Sequence, residues 1–234
     1  MTGAVSEFAG ALRRENVAVI AEIKRASPSK GAIAPGLDAF AQAEAYARGG
    51  AAVLSVLTEP TRFGGSIEDL DRAREAVGGA LPLLRKDFIV DRVQIVEAAA
   101  HLAAAVLLIA RALEPATLRE LAREAVALGL HVLAEVRDEW ELETALESGA
   151  AVIGVNNRNL ETLAIDLAVG ERLVPRIPTE RVAVFESGIA SVDDVRRAAA
   201  AGADAVLVGS SVSAAADPAA AVAALAGEPR RGRP

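Results

Sequence analysis

Eight times along this 234-residue chain an apolar run of strand length is followed by a segment with helical periodicity, and that alternation leaves few folds open. The runs are VAVIAEI over about 17–23, AAVLSVL ending at Thr58-Glu59, LPLLRKD, AAAVLLIA, HVLAEV, AVIGVNN, RVAVFES and DAVLVGSS. Helices are predicted after them at 38–47, 67–77, 92–100, 115–128, 138–148, 166–173, 191–200 and 217–226. Asp38, Pro115, Asp138 and Asp217-Pro218 supply start signals, and Gly49-Gly50, Gly129, Gly149 and Gly202 supply stops. Strands that are apolar almost throughout are buried on both faces, which belongs to parallel sheets. Eight such units at this length predict a single-domain (β/α)8 TIM barrel; a doubly wound open sheet shares the local pattern and is the alternative. One more short helix, over 4–14, carries Phe8 and Leu12 one turn apart, making 1–16 a helical N-terminal segment. At the other end, 227–234 holds Arg230, Arg231 and Arg233 among Gly and Pro and reads as a frayed tail; no linker divides 1–234.

Composition narrows the function. A 52% hydrophobic chain of this length can bury a large core, and its net charge of −7 argues against a nucleic-acid surface. Cysteine is absent, which removes disulfides, thiolate metal ligands and cysteine nucleophiles and fits a cytosolic protein. Two histidines are too few for most imidazole metal sites. No signal-like start and no apolar run of spanning length stands out, so the expectation is a cytoplasmic protein with no membrane partner.

Polar residues gather at the carboxyl ends of the strands: Glu22 and Lys24, Thr58-Glu59, Arg85-Lys86-Asp87, Glu135, Asn156-Asn157-Arg158, Glu186-Ser187-Gly188 and Gly209-Ser210-Ser211. In a parallel barrel those ends open on one rim, where the active sites of this fold are built. Strand ends that are polar merely because the chain exits there would be polar at both ends, and the amino ends here hold Val, Ala, Ile and Leu. Leu84 and Leu133 lie two positions before Lys86 and Glu135, so the same strand faces continue as core and the charges sit over it, partly desolvated. Ser27-Pro28-Ser29-Lys30-Gly31 after the first strand is a solvated loop able to hold an anion. Gly-Ser pairs at the last two strand ends fit the phosphate site of this fold, with glycine admitting backbone close to an anion. Arg25 and Asp87, at odd parity, are assigned to ion pairs around the barrel. His101, His131 and Trp140 are given structural roles. Phe63 and Phe88 are either substrate walls or loop packing.

The motifs AEIKRASPSKG, VLTEPTRFGGS, LLRKDFIVD, AVLLIA, LAEV, IGVNNRNLETL, ESGI and VLVGSS, running in order from Val19 to Ser211, resemble those of the indole-3-glycerol phosphate synthases. The resemblance implies a (β/α)8 barrel and a carboxy-lyase of tryptophan biosynthesis. It needs no cofactor and turns 1-(2-carboxyphenylamino)-1-deoxyribulose 5-phosphate into indole-3-glycerol phosphate, carbon dioxide and water. It implies Lys86 as general acid toward the ketone oxygen and Glu135 as stabiliser of the developing cation. Lys24 and Glu22 would serve decarboxylation and dehydration, with Lys24 also meeting the substrate carboxylate. Asn156 and Arg158 would hold the anthranilate end, and Glu186 would orient neighbouring charges. Ser27, Ser187, Gly188, Gly209 and Ser210 would take the phosphate, and Phe63, Phe88, Leu107 and Leu160 would wall the aromatic ring.

Three features depart from the family pattern: the family's longer N-terminal extension over the barrel mouth is represented by only 16 residues, His101-Leu-Ala-Ala-Ala replaces a usual Gly-Ala-Asp segment, and VFESGI replaces VAESGI. The shortened cap is expected to weaken binding more than chemistry. The alternatives are phosphoribosylanthranilate isomerase, disfavoured by the absent cysteine, a Schiff-base barrel using Lys24 or Lys86, and a catalytically idle phosphate-binding barrel. The expected partner is a phosphorylated small molecule; a monomer fits, and docking on other tryptophan-pathway enzymes stays open.

Overall fold

The computed structural model describes residues 4–233. Its eight long strands, β1 (Ala18–Ile23), β2 (Val53–Leu57), β3 (Leu83–Lys86), β4 (Ala105–Ile109), β5 (His131–Val136), β6 (Val152–Asn156), β7 (Val182–Glu186) and β8 (Ala205–Val208), are parallel and close into a barrel. Closure is decided at β1, which pairs with β2 on one edge and β8 on the other, so the open-sheet alternative is excluded. Helices α1 (Ala4–Ala11), α2 (Ala39–Arg48), α3 (Ile67–Val77), α4 (Arg92–Ala100), α5 (Pro115–Ala127), α6 (Glu139–Glu147), α7 (Ala168–Leu173), α8 (Val192–Ala200) and α9 (Pro218–Leu225) follow the predicted segments closely. Side-chain caps at Asp38, Ser66, Asp91, Asp138, Ser191 and Asp217 start six of them by accepting backbone N–H bonds. The loop after β1 is a small hairpin pairing Ala26–Ser27 with Gly31–Ala32, and single-turn helices at Pro60–Phe63 and Ser210–Ser213 complete the rim.

Strand parity divides the core in two. Val19, Ala21, Leu54, Val56, Leu108, Ala134 and Ile153 face the helices. Ala18, Ile20, Val53, Leu84, Leu107, Leu133, Val152, Val184 and Leu207 fill the interior. Phe185 faces outward over Gly170 of α7, whose missing Cβ leaves room for the ring, which explains the Phe of VFESGI.

The N-terminal segment corrects an expectation. Phe8 and Leu12 join the interior cluster at the starts of the strands, with Phe8 packed 5.8 Å from the His131 ring. Arg13 donates to the carbonyls of Thr179 and Glu180, just before β7. α1 therefore plugs the foot of the barrel and forms no part of a cap over its mouth, because Phe8 and Leu12 pack among the interior residues at that end. Residues 1–3 of the expected segment lie outside the described residues.

The tail is not frayed. Asp204, at the foot of β8, is 2% exposed, and Arg230 and Arg233 both reach it, at 2.5 and 2.7 Å. Arg233 also donates to the carbonyls of Ile177, Arg181 and Gly202, and the Val17 N–H binds the Glu228 carbonyl. A buried carboxylate needs such partners, and the guanidinium supplies five donors in a fixed fork. Residue 234 lies outside the described residues. Trp140, given a packing role, is instead 58% exposed, because α6 buries Glu141, Leu142, Thr144 and Ala145 and turns position 140 outward.

Replacing Phe8 with Ala should lower unfolding free energy by about 3–5 kcal/mol in urea melts. KM should change by less than about twofold, because the plug lies at the end opposite the rim. A large rise in KM with little loss of stability would put α1 at the mouth after all.

Candidate active site

At the top of the interior, where a barrel of this kind normally continues with Val, Ile or Leu, four alternate strands supply charge: Glu22 from β1, Lys86 from β3, Glu135 from β5 and Glu186 from β7. The three carboxylates are buried, and the Lys86 side chain is 16% exposed. Lys86 Nζ lies 3.6 Å from Glu135 and 3.9 Å from Glu22. Lys24, two residues beyond Glu22 on the same face, pairs with it at 2.6 Å. Asn156 Nδ2 donates to Glu135 at 3.0 Å, and Asn156 Oδ1 accepts from the Arg158 N–H at 2.9 Å.

Burial and charge act differently on each group. Burial alone would push Glu22 up, but the charges of Lys24 and Lys86 outweigh it and hold the carboxyl below its ordinary value. For Lys86 burial opposes the charged form and is overcome by Glu135, Glu22 and Glu186, so the ammonium holds its proton more tightly than a free lysine. Glu186 goes the other way. Burial and the neighbouring Glu135 charge push it well above the ordinary carboxylate value, against the pull of Lys86. Its Oε1 has no hydrogen-bond partner among the described residues.

Gly209, read as room for an anion, has a second duty. A Cβ there would strike Glu22 Oε1 and come 2.6 Å from Lys24 Nζ, so glycine is needed for space. Ser187 and Gly188 form a left-handed turn at φ 65° and 87°, and Ser210 opens the adjoining single-turn helix. The Ser27 hydroxyl bonds within its own hairpin, to Ser29 and the Lys30 N–H. Phe63 and Phe88 come together as a tilted pair 6.2 Å apart. Leu160 is 42% exposed and shares a pocket with Ile109, Arg111, Glu135, Asn156 and Arg158. Leu107 is buried in the interior cluster, a floor beneath the rim more than a wall.

Other rim residues have structural tasks. Glu59 caps the Pro60–Phe63 turn through three backbone N–H groups. Arg25 pairs with Asp69, and Asp87 with Arg85 and Thr58, the ion pairs that their parity suggested. Sequence reasoning missed Tyr46 and Ser213, whose hydroxyls both donate to the Glu22 carbonyl, at 3.1 and 2.8 Å, where β8 has already turned away. A lone Tyr in a helix next to a small-residue stretch gave no signal of that contact.

A model of the indole-3-glycerol phosphate synthase family matches residues 3–225. The chain belongs to that family. It is 52% identical over 215 residues to indole-3-glycerol phosphate synthase 1 of Streptomyces coelicolor, covering 92% of this chain and 79% of that protein. It is 51% identical over 219 residues to the indole-3-glycerol phosphate synthase of Rhodococcus jostii, covering 94% and 81%. Among solved structures, a thiamine phosphate pyrophosphorylase from Pyrococcus furiosus superposes with a TM-score of 0.67 at 18% identity, over 92% of this chain and 95% of that one. A structure described as native KDPGal gives the same score at 16% identity, over 91% and 94%. Those two likenesses speak to the barrel fold alone.

In this barrel of the indole-3-glycerol phosphate synthase family, Glu186 binds its proton more tightly folded than unfolded. It therefore stabilises most at low pH, and that contribution is lost as pH rises through the folded-state pKa. Glu186→Gln removes the dependence, so urea midpoints from about pH 5 to about pH 8 should shift in favour of the variant as pH rises. A stability difference that stays flat, or turns toward the wild type, contradicts the assignment.

Proposed function

We propose that this barrel closes the pyrrole ring of 1-(2-carboxyphenylamino)-1-deoxyribulose 5-phosphate, releasing carbon dioxide and water to give indole-3-glycerol phosphate. The observation that carries the reading is the buried group of Glu22, Lys86, Glu135 and Glu186 on alternate strands, with Lys24 at its edge. The aromatic carbon bearing the carboxylate attacks the substrate ketone, whose oxygen gathers negative charge against Lys86. Lys86 keeps its proton in the resting site and gives it up as that oxygen becomes strongly basic, which suits an acid needed only in the transition state. Glu135, held by Asn156, faces the positive charge that develops on the ring and nitrogen. Carbon dioxide then leaves, and its bonding electrons return to the ring; Lys24 meets the carboxylate before it departs. The new hydroxyl leaves as water with a proton from an acid of the Lys24 and Glu22 pair, and a neighbouring carboxylate takes the remaining proton.

Asn156 and Arg158 hold the anthranilate end, beside Leu160 and above Leu107, with Phe63 and Phe88 across the rim. Ser27, Ser187, Gly188, Gly209 and Ser210 take the phosphate. Glu186 orients the neighbouring charges, and its raised pKa eases the repulsion that three ionised carboxylates would feel. A Schiff-base reading needs a neutral amine, and the carboxylates around Lys86 oppose that form. No helix among the described residues is long and apolar enough to cross a membrane.

Lys86→Ala should lower turnover at saturating substrate by about 100-fold to 10,000-fold, the range for a positioned general acid. The variant also leaves Glu22 and Glu135 short of a cation, so it should be less stable at neutral pH and regain stability as pH falls. Turnover is therefore read on folded protein, checked by circular dichroism. Retention of most of the wild-type rate would remove Lys86 from the mechanism.

A further inference from the structure

Asn157 follows the last residue of β6, and the chemistry above gives it no task. Its side chain is fully buried, and every polar group on it is used. Nδ2 donates to the Glu186 carbonyl at 2.7 Å and to the Ser187 carbonyl at 3.1 Å, while Oδ1 accepts from the Gly170 N–H at 2.8 Å. The Asn157 backbone N–H reaches the same Glu186 carbonyl at 3.0 Å.

Those two carbonyls belong to the peptide units on either side of Ser187. The φ and ψ of a residue are the torsions between its two flanking peptide planes, so a group that grips both planes fixes both torsions. Ser187 needs such a grip. Its φ of 65° is left-handed, a conformation that glycine takes freely and serine does not, and such a residue persists where its surroundings over-determine it. Gly188 continues the turn at φ 87°. Only an amide NH2, with two hydrogens on one small planar nitrogen, can serve both carbonyls from this position and still accept from Gly170.

We infer that Asn157 is a positioning residue: it clamps the peptide planes around Ser187 and thereby sets the turn that presents Ser187 and Gly188 to the substrate phosphate. The inference rests on reading that turn as part of the phosphate site. A purely structural role for Asn157 would cost stability and leave phosphate binding alone.

The test uses the full chain, with inorganic phosphate as competitive inhibitor and steady-state kinetics on the carboxyphenylamino substrate. Asn157→Ala should raise both KM and the phosphate inhibition constant by about tenfold, the loss expected for one or two buried hydrogen bonds, with a smaller fall in kcat. Ser187→Gly separates the clamp from general damage. In the wild-type background it removes a hydroxyl and should weaken phosphate binding; in the Asn157→Ala background it should recover part of the loss, because glycine holds the turn unaided. Effects of the same sign in both backgrounds overturn the inference. If Asn157→Ala does not fold, Asn157→Asp, which keeps the shape and the Gly170 acceptor, is read in the same way. Gly188→Ala tests the underlying reading: if it leaves the phosphate inhibition constant unchanged, the phosphate site lies elsewhere and the inference falls with it. If it raises that constant and the Asn157 variants do not, the phosphate reading stands and the clamp alone is overturned.

Discussion

Three carboxylates buried in the top of a barrel core, with one ammonium between them and a second at their edge, impose the constraint that the rest of this molecule answers. Each desolvated charge is costly unless paired, and two lysines cannot neutralise three close glutamates equally. Glu22 has two cations within 4 Å and is held ionised. Glu135 shares Lys86 and accepts from Asn156. For Glu186 burial and the Glu135 charge outweigh the pull of Lys86 and push the carboxyl well above its ordinary value. The same arrangement gives the reaction what it needs: a cation where an oxygen becomes negative, a carboxylate where a ring becomes positive, and a proton held close by.

Such a group survives only on a rigid mount. The charges stand on strands whose lower positions, Ile20, Leu84, Leu133 and Val184, are close-packed interior. The backbone at the rim is pinned from behind: Tyr46 and Ser213 on the Glu22 carbonyl, and the Arg85, Thr58 and Asp87 network beside Lys86. At the opposite end α1 fills the foot with Phe8 and Leu12, and the tail ties Asp204 with two arginines. Those features serve stability at a distance from the chemistry, the usual division of labour between the two ends of this fold.

Most of the barrel could be read from residues, because period and parity are local properties. Alternation of apolar runs with helical segments gave the strands, and the Leu84–Lys86 and Leu133–Glu135 spacing placed the charges over the core. What escaped depended on partners far away in sequence. Phe8 and Leu12 specify an apolar helix face, but nothing in them says whether it covers the mouth or the foot. Arg230 and Arg233 look solvated beside Gly and Pro until Asp204 is found buried within reach. A left-handed serine carries no mark in sequence, and the buried amide beside it looks like one more polar strand end. Gly209 was read for the anion it could admit, whereas the closest atoms to its missing side chain belong to Glu22 and Lys24.

The charge balance of the buried group can be observed directly by infrared spectroscopy of the resting protein, comparing wild type with Glu186→Gln. At a pH about one unit above the ordinary carboxylate value, exposed carboxyls are still about a tenth protonated and burial raises Glu141 as well, so the band that counts is the protonated carboxyl seen in the difference between wild type and Glu186→Gln. The account predicts such a band in the wild type and its loss in Glu186→Gln. A spectrum with no protonated carboxyl at that pH, or a band untouched by the substitution, would contradict it.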